Sequence, residues 1–251
     1  MKRRDTRLGA GPRRRPYGVT GGRLQELANR GRALARPPQN HSGGDWWKIG
    51  NADGDRAEVF LYGYIGDDYF EEDVTAASFT KALRAITAPA IDLRVNSPGG
   101  AVFDGIAIYT ALLEHPATID VYVDGVAASA ASFVSMAGDT IAMQKPAKMM
   151  IHDASGIVLG NAADMQAMAD LLDELSDTIA GIYADRAGGL TATWRDAMKA
   201  ETWYSAAAAV EAGLADRVAN DTTDTTETVP ADRHNQSELI RARARLLLKG
   251  E

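Results

Sequence analysis

An α/β domain with a mostly parallel sheet is what this sequence predicts, on three observations. Runs of β-branched and aromatic residues alternate with helix-period segments from Glu58 to Met143, the order that yields parallel strands joined by helical crossovers. One much longer helix-period segment follows, from Asn161 to about Ala187. A hydrophobic content of 45% over 251 residues suffices for the core of one such domain with appendages.

Residues 1–44 precede the first strand and read as an arm. Arg13-Arg14-Arg15-Pro16, Pro37-Pro38 and Gly43-Gly44 interrupt any long periodic element, and Leu24, Leu27 and Leu34 mark one short helix at most. Residues 1–40 carry 11 Lys/Arg against Asp5 and Glu26, a balance of +9, which leaves −16 on the remaining 211 residues. A basic arm on an acidic body suits a solvated, disordered tail, or one that contacts nucleic acid, an acidic partner or its own body.

The domain is expected over residues 45–219. Glu58–Ile65 is β-branched and aromatic, hence a strand. Thr75–Ala88 sets Phe79, Leu83 and Ile86 at helical spacing. Ile91–Asn96 is a second strand, closed by a predicted type II turn at Ser97-Pro98-Gly99-Gly100. Phe103–Leu113 is helical, Ile119–Asp124 a third strand, and Gly125–Ala137 a predicted helix of small residues. Asp139–Met143 and Lys148–His152 are short strands. Asn161 can cap the long helix and Gly188-Gly189 ends it, with Met165, Met168, Leu171, Leu172, Leu175, Ile179 and Ile182 as the apolar stripe. Asp170, Asp173, Glu174 and Asp177 form its polar face. Shorter helices follow at 194–199 and 206–212. Residues 220–251 form a Thr- and acid-rich linker and a short basic amphipathic helix.

Composition excludes several chemistries. With no cysteine there is no disulfide, thiolate metal site or thiol nucleophile. His41, His115, His152 and His234 are scattered without metal-binding spacing, so neither a metal nor a cofactor is expected. No apolar run reaches the roughly 18–20 residues of a membrane span, and no apolar stretch follows the basic N-terminus as in a secretory signal. The expectation is a soluble protein of the cytoplasm.

The chemistry concentrates at Asp124-Gly-Val-Ala-Ala-Ser129-Ala-Ala-Ser132-Phe-Val-Ser135. A strand running into a helix exposes first-turn amides that lack helical acceptors, and a serine there can attack a carbonyl while those amides hold the oxyanion. Ser132 and Ser135 lie deeper in the predicted helix, so Ser129 is the preferred nucleophile and Ala130 an oxyanion donor; the bland alternative is a small-residue helix packed on a sheet. Gly100 offers a second N–H. His152, at the end of an apolar strand, is a packed histidine or the base for Ser129. Asp153 would face the opposite side from its neighbour, while Glu201 occupies a loop position able to reach back.

Asn96-Ser-Pro-Gly-Gly100, Gly125-Val-Ala-Ala-Ser129-Ala, Met150-Ile-His152 and Tyr204-Ser-Ala-Ala-Ala-Ala-Val-Glu-Ala-Gly-Leu-Ala-Asp216 occur in that order. Over about residues 57–219 they resemble the proteolytic subunit of the Clp protease. With Trp46-Trp47-Lys48-Ile49 ahead of the first strand, the chain is similar to the Clp-related head maturation proteases of tailed phages and prophages. The resemblance implies a fold of repeated β-β-α units, shared with crotonases, and a long "handle" helix. It implies Ser129 as nucleophile, His152 as base, Glu201 as the third member where housekeeping enzymes place an aspartate, and Gly100 and Ala130 as oxyanion donors. Residues 154–160 resemble the strand against which peptides lie.

It also implies a homo-oligomeric ring of six or seven subunits, single or stacked, acting without cofactor on protein substrates such as scaffold or capsid, in host cytoplasm or prohead. The long basic arm and the C-terminal appendage depart from the housekeeping pattern and count against an ATPase partner. Other readings are an ATPase-fed degradative subunit, a crotonase-like acyl-CoA enzyme, and a non-catalytic scaffold.

Overall fold

A computed structural model describes residues 47–50, 55–66 and 76–219. The basic arm of residues 1–44 and the appendage of residues 220–251 lie outside the described residues.

Eight strands form one sheet: β1 (Trp47–Gly50), β2 (Arg56–Ile65), β3 (Ala90–Gly100), β4 (Thr118–Ala128), β5 (Thr140–Gln144), β6 (Lys148–Ile151), β7 (Thr202–Ser205) and β8 (Arg217–Ala219). Six helices accompany them among the described residues: α1 (Ala76–Arg84), α2 (Val102–Glu114), α3 (Ala130–Ser135), α4 (Ala162–Ala187), α5 (Thr191–Lys199) and α6 (Ala206–Glu211). The main path runs β1-β2-β3-β4-β5-β8, parallel except for β1 on β2. This is the mixed α/β, mostly parallel architecture that the alternation predicts.

One strand organises the site. The first half of β4 pairs with β5, Asp120–Val123 opposite Thr140–Met143. Its second half pairs with β6 instead, Val126–Ala128 opposite Lys148–Met150, and β7 lies antiparallel on β6. The sheet therefore forks along β4, and the fork brings the C-terminal ends of β4 and β6 side by side.

Side chains alternate across the sheet because successive strand residues face opposite ways. Val59, Leu61, Leu93, Val95, Val121, Val123, Ile141 and Met143 are fully buried, in one cluster with Phe79 and Leu83 of α1, Ile108 and Leu112 of α2, and Phe133 and Val134 of α3. Burying each large apolar side chain is worth about 1.5–3 kcal/mol. The other face carries a polar ladder. Arg56 pairs with Asp92 and Asp120, Arg94 pairs with Asp124, and Tyr62 donates to Asp124 at 2.6 Å. The Tyr122 ring lies under the guanidinium groups of Arg94 and Arg217.

Three local expectations are corrected. Ser97-Pro98-Gly99-Gly100 is not a free-standing turn: β3 continues through it, with Gly99 and Gly100 opposite Tyr64 and Ile65. Pro98 is tolerated because the pairing is irregular there, shifting register between Val95 and Ser97 on the β4 side. Nor does a helix begin at Gly125. β4 persists to Ala128, and α3 covers only Ala130–Ser135. The α1 helix ends at Arg84, short of the expected Ala88. The long helix begins as expected: Asn161 accepts from the amides of Ala163 and Asp164, and the Asp164 carboxylate accepts from the Asn161 amide, a reciprocal cap. No helix among the described residues is long and apolar enough to cross a membrane.

Candidate active site

Ser129 is the single residue between β4 and α3, with φ 52° and ψ −122°. Only Ser129 and Glu201 hold a positive φ among the described non-glycine residues. For a residue with a Cβ such a conformation costs on the order of 1–3 kcal/mol and persists only where the surroundings enforce it. They do so here. The Ser129 amide donates to the carbonyl of Met150 at 2.9 Å, and the Ser129 carbonyl accepts from the Ser132 amide at 3.0 Å and the Ser132 hydroxyl at 2.5 Å.

His152 follows β6 immediately. Because Ala128 pairs with Met150 in a parallel ladder, the residues just beyond each strand end become neighbours. Ser129 Oγ and His152 Nε2 lie 2.7 Å apart, a direct hydrogen bond. Burial pushes the imidazole below its ordinary value of 6.5, opposed by the negative charges of Glu201 and Asp153. A neutral ring with Nε2 facing the hydroxyl is the state able to take its proton.

The competing serines are spent elsewhere. Ser132 and Ser135 are fully buried. The Ser132 hydroxyl also meets the Tyr183 hydroxyl at 2.7 Å, and the Ser135 hydroxyl donates to the Ala131 carbonyl. Buried His115 is likewise occupied, with Nε2 on the Leu83 carbonyl and Nδ1 accepting from the Ala117 amide.

Gly99 and Gly100 approach this corner differently. A Cβ on Gly99 would stand 2.6 Å from the Ala128 carbonyl oxygen and 2.7 Å from both Ala130 N and Ser129 Cβ. The absent side chain therefore keeps the space before the Ala130 amide open, and that amide opens α3, where no helical acceptor exists. A Cβ on Gly100 would collide with the Ile65 carbonyl at 1.9 Å, so only glycine lets the backbone lie this close to β2. The close backbone approach expected at Gly100 is present, against β2, and Gly99 makes a second one, against the serine corner.

Glu201 sits at the turn between α5 and β7, exposed, with φ 49°. Its negative charge acts on His152. Its one side-chain hydrogen bond among the described residues is with Trp203, whose indole Nε1 donates at 3.3 Å. The Asp153 carboxylate is gripped by Arg195 of α5, and its negative charge also acts on His152. Arg195 and Tyr183 were not anticipated; the signal available was Asp173 and Asp177, four apart on one face of α4, opposite an arginine. Residues 154–160 have no strand partner among the described residues, and Ile157 and Leu159 stand out at 75% and 85% exposure.

Two comparisons bear on this geometry. The model of the Clp protease family matches residues 45–222. The chain is similar to the ATP-dependent Clp protease proteolytic subunit 3 of Streptomyces coelicolor, 35% identical over 137 residues, covering 53% of this chain and 63% of that protein. It is also similar to the ATP-dependent Clp protease proteolytic subunit of Staurastrum punctulatum, 36% identical over 135 residues, covering 53% and 67%. Subunit 1 of Streptomyces avermitilis is 34% identical over 131 residues, covering 51% and 60%. The matched region thus spans roughly two thirds or less of each relative's length.

Proposed function

The chain belongs to the Clp protease family, and on that footing we propose that it is a serine endopeptidase in which Ser129 attacks the peptide carbonyl and His152 takes its proton. The observation that carries the reading is the 2.7 Å bond between Ser129 Oγ and His152 Nε2 at a conformationally strained strand-to-helix corner. In the first step the hydroxyl oxygen bonds to the carbonyl carbon while its proton passes to Nε2. The developing oxyanion is held by the amides of Ala130 and Gly100. The imidazolium then returns the proton to the departing amine, leaving an acyl-Ser129 ester that water cleaves by the same proton traffic. Glu201 orients the imidazole through Nδ1–H, which requires its carboxylate to leave the Trp203 indole.

The substrates in this proposal are scaffold or capsid proteins trimmed during phage head maturation, in host cytoplasm or prohead. The Trp46-Trp47-Lys48-Ile49 opening, whose last three residues enter β1, and the long basic arm support that assignment. The working form is a ring of six or seven copies, single or stacked. Ile157, Leu159, Met165 and Leu171 supply apolar surface for contacts between copies. The names of the relatives favour a second reading, degradation fed by an ATPase.

One preparation tests these points. A fluorophosphonate should label Ser129 in the purified full chain, located by mass spectrometry. Ser129→Ala should lose labelling and peptidase activity while keeping its oligomeric size in light scattering. Labelling that survives in Ser129→Ala sinks the assignment, and a monodisperse monomer removes the ring. Cleavage of an unfolded acidic scaffold protein without ATP separates the maturation reading from the ATPase-fed one.

A further inference from the structure

Arg195 lies in the middle of α5 at only 8% exposure. Its five N–H groups are all engaged. Nε and Nη2 grip the two carboxylate oxygens of Asp153 at 2.9 and 3.1 Å. Nη2 also donates to Asp173 at 2.7 Å, and Nη1 to Asp177 at 2.5 Å and to the Asp173 carbonyl at 3.4 Å. A planar fork meeting a carboxylate at two points fixes orientation as well as distance, which a lysine cannot do.

Asp153 directly follows His152. The short segment around the imidazole is thus fastened on both sides: the Met150 carbonyl accepts from the Ser129 amide, Asp153 is held by Arg195, and the Ala154 amide donates to Ser176 Oγ at 2.9 Å. Arg195 belongs to the helix whose C-terminal turn leads into Glu201, where the Glu201 amide donates to the Met198 carbonyl at 2.9 Å. One side chain therefore ties the histidine's segment to the element that carries the acid.

We propose that Arg195 is a positioning residue for the Ser129–His152 pair, fixing the His152 segment against α5 and neutralising the Asp153 carboxylate beside the imidazole. The inference rests on the catalytic reading above. The groups facing His152 are Ser129 from the β4–α3 corner, Glu201 from the α5–β7 turn and Asp153 from its own segment, with Arg195 of α5 behind Asp153. Asp173 and Asp177 of α4 lie beyond Arg195, their side chains 78% and 67% exposed, so water screens them.

The test uses the full chain and a short uncharged peptide, with kcat and KM measured against pH and normalised to active sites titrated with a fluorophosphonate. Arg195→Met should lower kcat per active site by about 10²-fold, the scale of a misplacement near 1 Å, with KM changed less than about threefold. Its acid limb of kcat/KM should move to higher pH, by a few tenths to about one unit, because the unpaired Asp153 charge favours the protonated imidazole. Asp153→Asn should also lower kcat, but its acid limb should move to lower pH. The double variant should bring the limb back toward wild type without restoring turnover. Arg195→Lys keeps the charge and loses the fork, so its limb should stay in place while kcat falls.

Loss of folding alone would lower the active-site count without moving any limb. An Arg195→Met enzyme with unchanged kcat per site and an unmoved limb overturns the proposal. If Arg195→Met does not fold, Asp153→Asn decides: a limb that stays or rises overturns it. Absence of Ser129 labelling in the wild type brings down the catalytic reading and this inference together. Labelling with unmoved limbs brings down the Arg195 role alone.

Discussion

Ser129 and Glu201 share a strained backbone and almost nothing else. Both hold φ near +50°, yet the serine corner is bonded through its amide, its carbonyl and its hydroxyl, while the glutamate corner is exposed and its carboxylate meets one indole N–H at 3.3 Å. The first is over-determined: β4, β6 and α3 all enforce it. The second is held by its amide on the Met198 carbonyl, and its exposed side chain has room to turn. Strain at Ser129 is thus locked into the fold, whereas strain at Glu201 leaves its side chain room to adjust.

The largest effect is expected at the locked corner. Gly99→Ala would force a methyl group to within 2.7 Å of the Ala130 amide and 2.6 Å of the Ala128 carbonyl, at a residue with φ +93°. The clash is with backbone, so the corner must open or the chain fails to fold. Activity should fall at least about 10³-fold, the scale of losing an oxyanion donor. The unfolding midpoint in urea should drop with it. Near-normal activity in Gly99→Ala would mean that the corner is as adjustable as the one at Glu201.

The next effect tests the acid. Glu201→Gln should lower kcat by roughly 10- to 10⁴-fold, the upper bound being the loss seen when an orienting carboxylate is replaced by its amide; the exposed starting position places the expectation toward the lower end. Glu201→Gly should do the same to kcat while raising stability by about 0.5–1 kcal/mol, since glycine accepts a positive φ without a Cβ penalty. Unimpaired Glu201→Gln turnover would leave His152 oriented by water or a backbone carbonyl. Glu201 also tends to raise the imidazole value, so its removal should move the acid limb of kcat/KM further down.

That limb should already lie below the ordinary histidine value of 6.5 in the wild type, because burial dominates at His152. The same displacement acts on stability. Between 6.5 and the lower folded value the unfolded chain binds a proton that the folded chain does not. His152 therefore makes the protein less stable as pH falls through that window and costs nothing above it.

How much of this was legible in the sequence follows the same division between locked and adjustable parts. Strands rich in Val, Ile and aromatics announced themselves, and so did the Asn161 cap, because both signals are local. Gly125–Ala128 was misread as helix because Gly and Ala are weak strand formers, and only pairing with β6 makes them β. Pro98-Gly99-Gly100 carried every mark of a turn, yet β2 supplies it with a strand partner. The pairing of Ser129 with His152 was legible because a strand-to-helix junction and a strand end are both local features. The Arg195–Asp153 grip was not, since its partners stand 42 residues apart and each reads alone as an ordinary surface charge.

The smallest expected effect falls on Trp203, and it bears most directly on the freedom of the glutamate corner. Its indole N–H is the one side-chain hydrogen-bond partner of Glu201 among the described residues, at 3.3 Å and on a residue 53% exposed. A bond of that length in water contributes at most about 1 kcal/mol, so its removal can change a rate by no more than about fivefold. Trp203→Phe keeps the ring and deletes the donor. If the indole merely parks the carboxylate away from His152, the variant should show kcat equal to or slightly above wild type. Its acid limb should move slightly upward, because a carboxylate released toward the imidazole favours the protonated ring. A tenfold fall in kcat would reverse the assignment, making the indole the support that aims Glu201 and the glutamate corner as firmly determined as the one at Ser129.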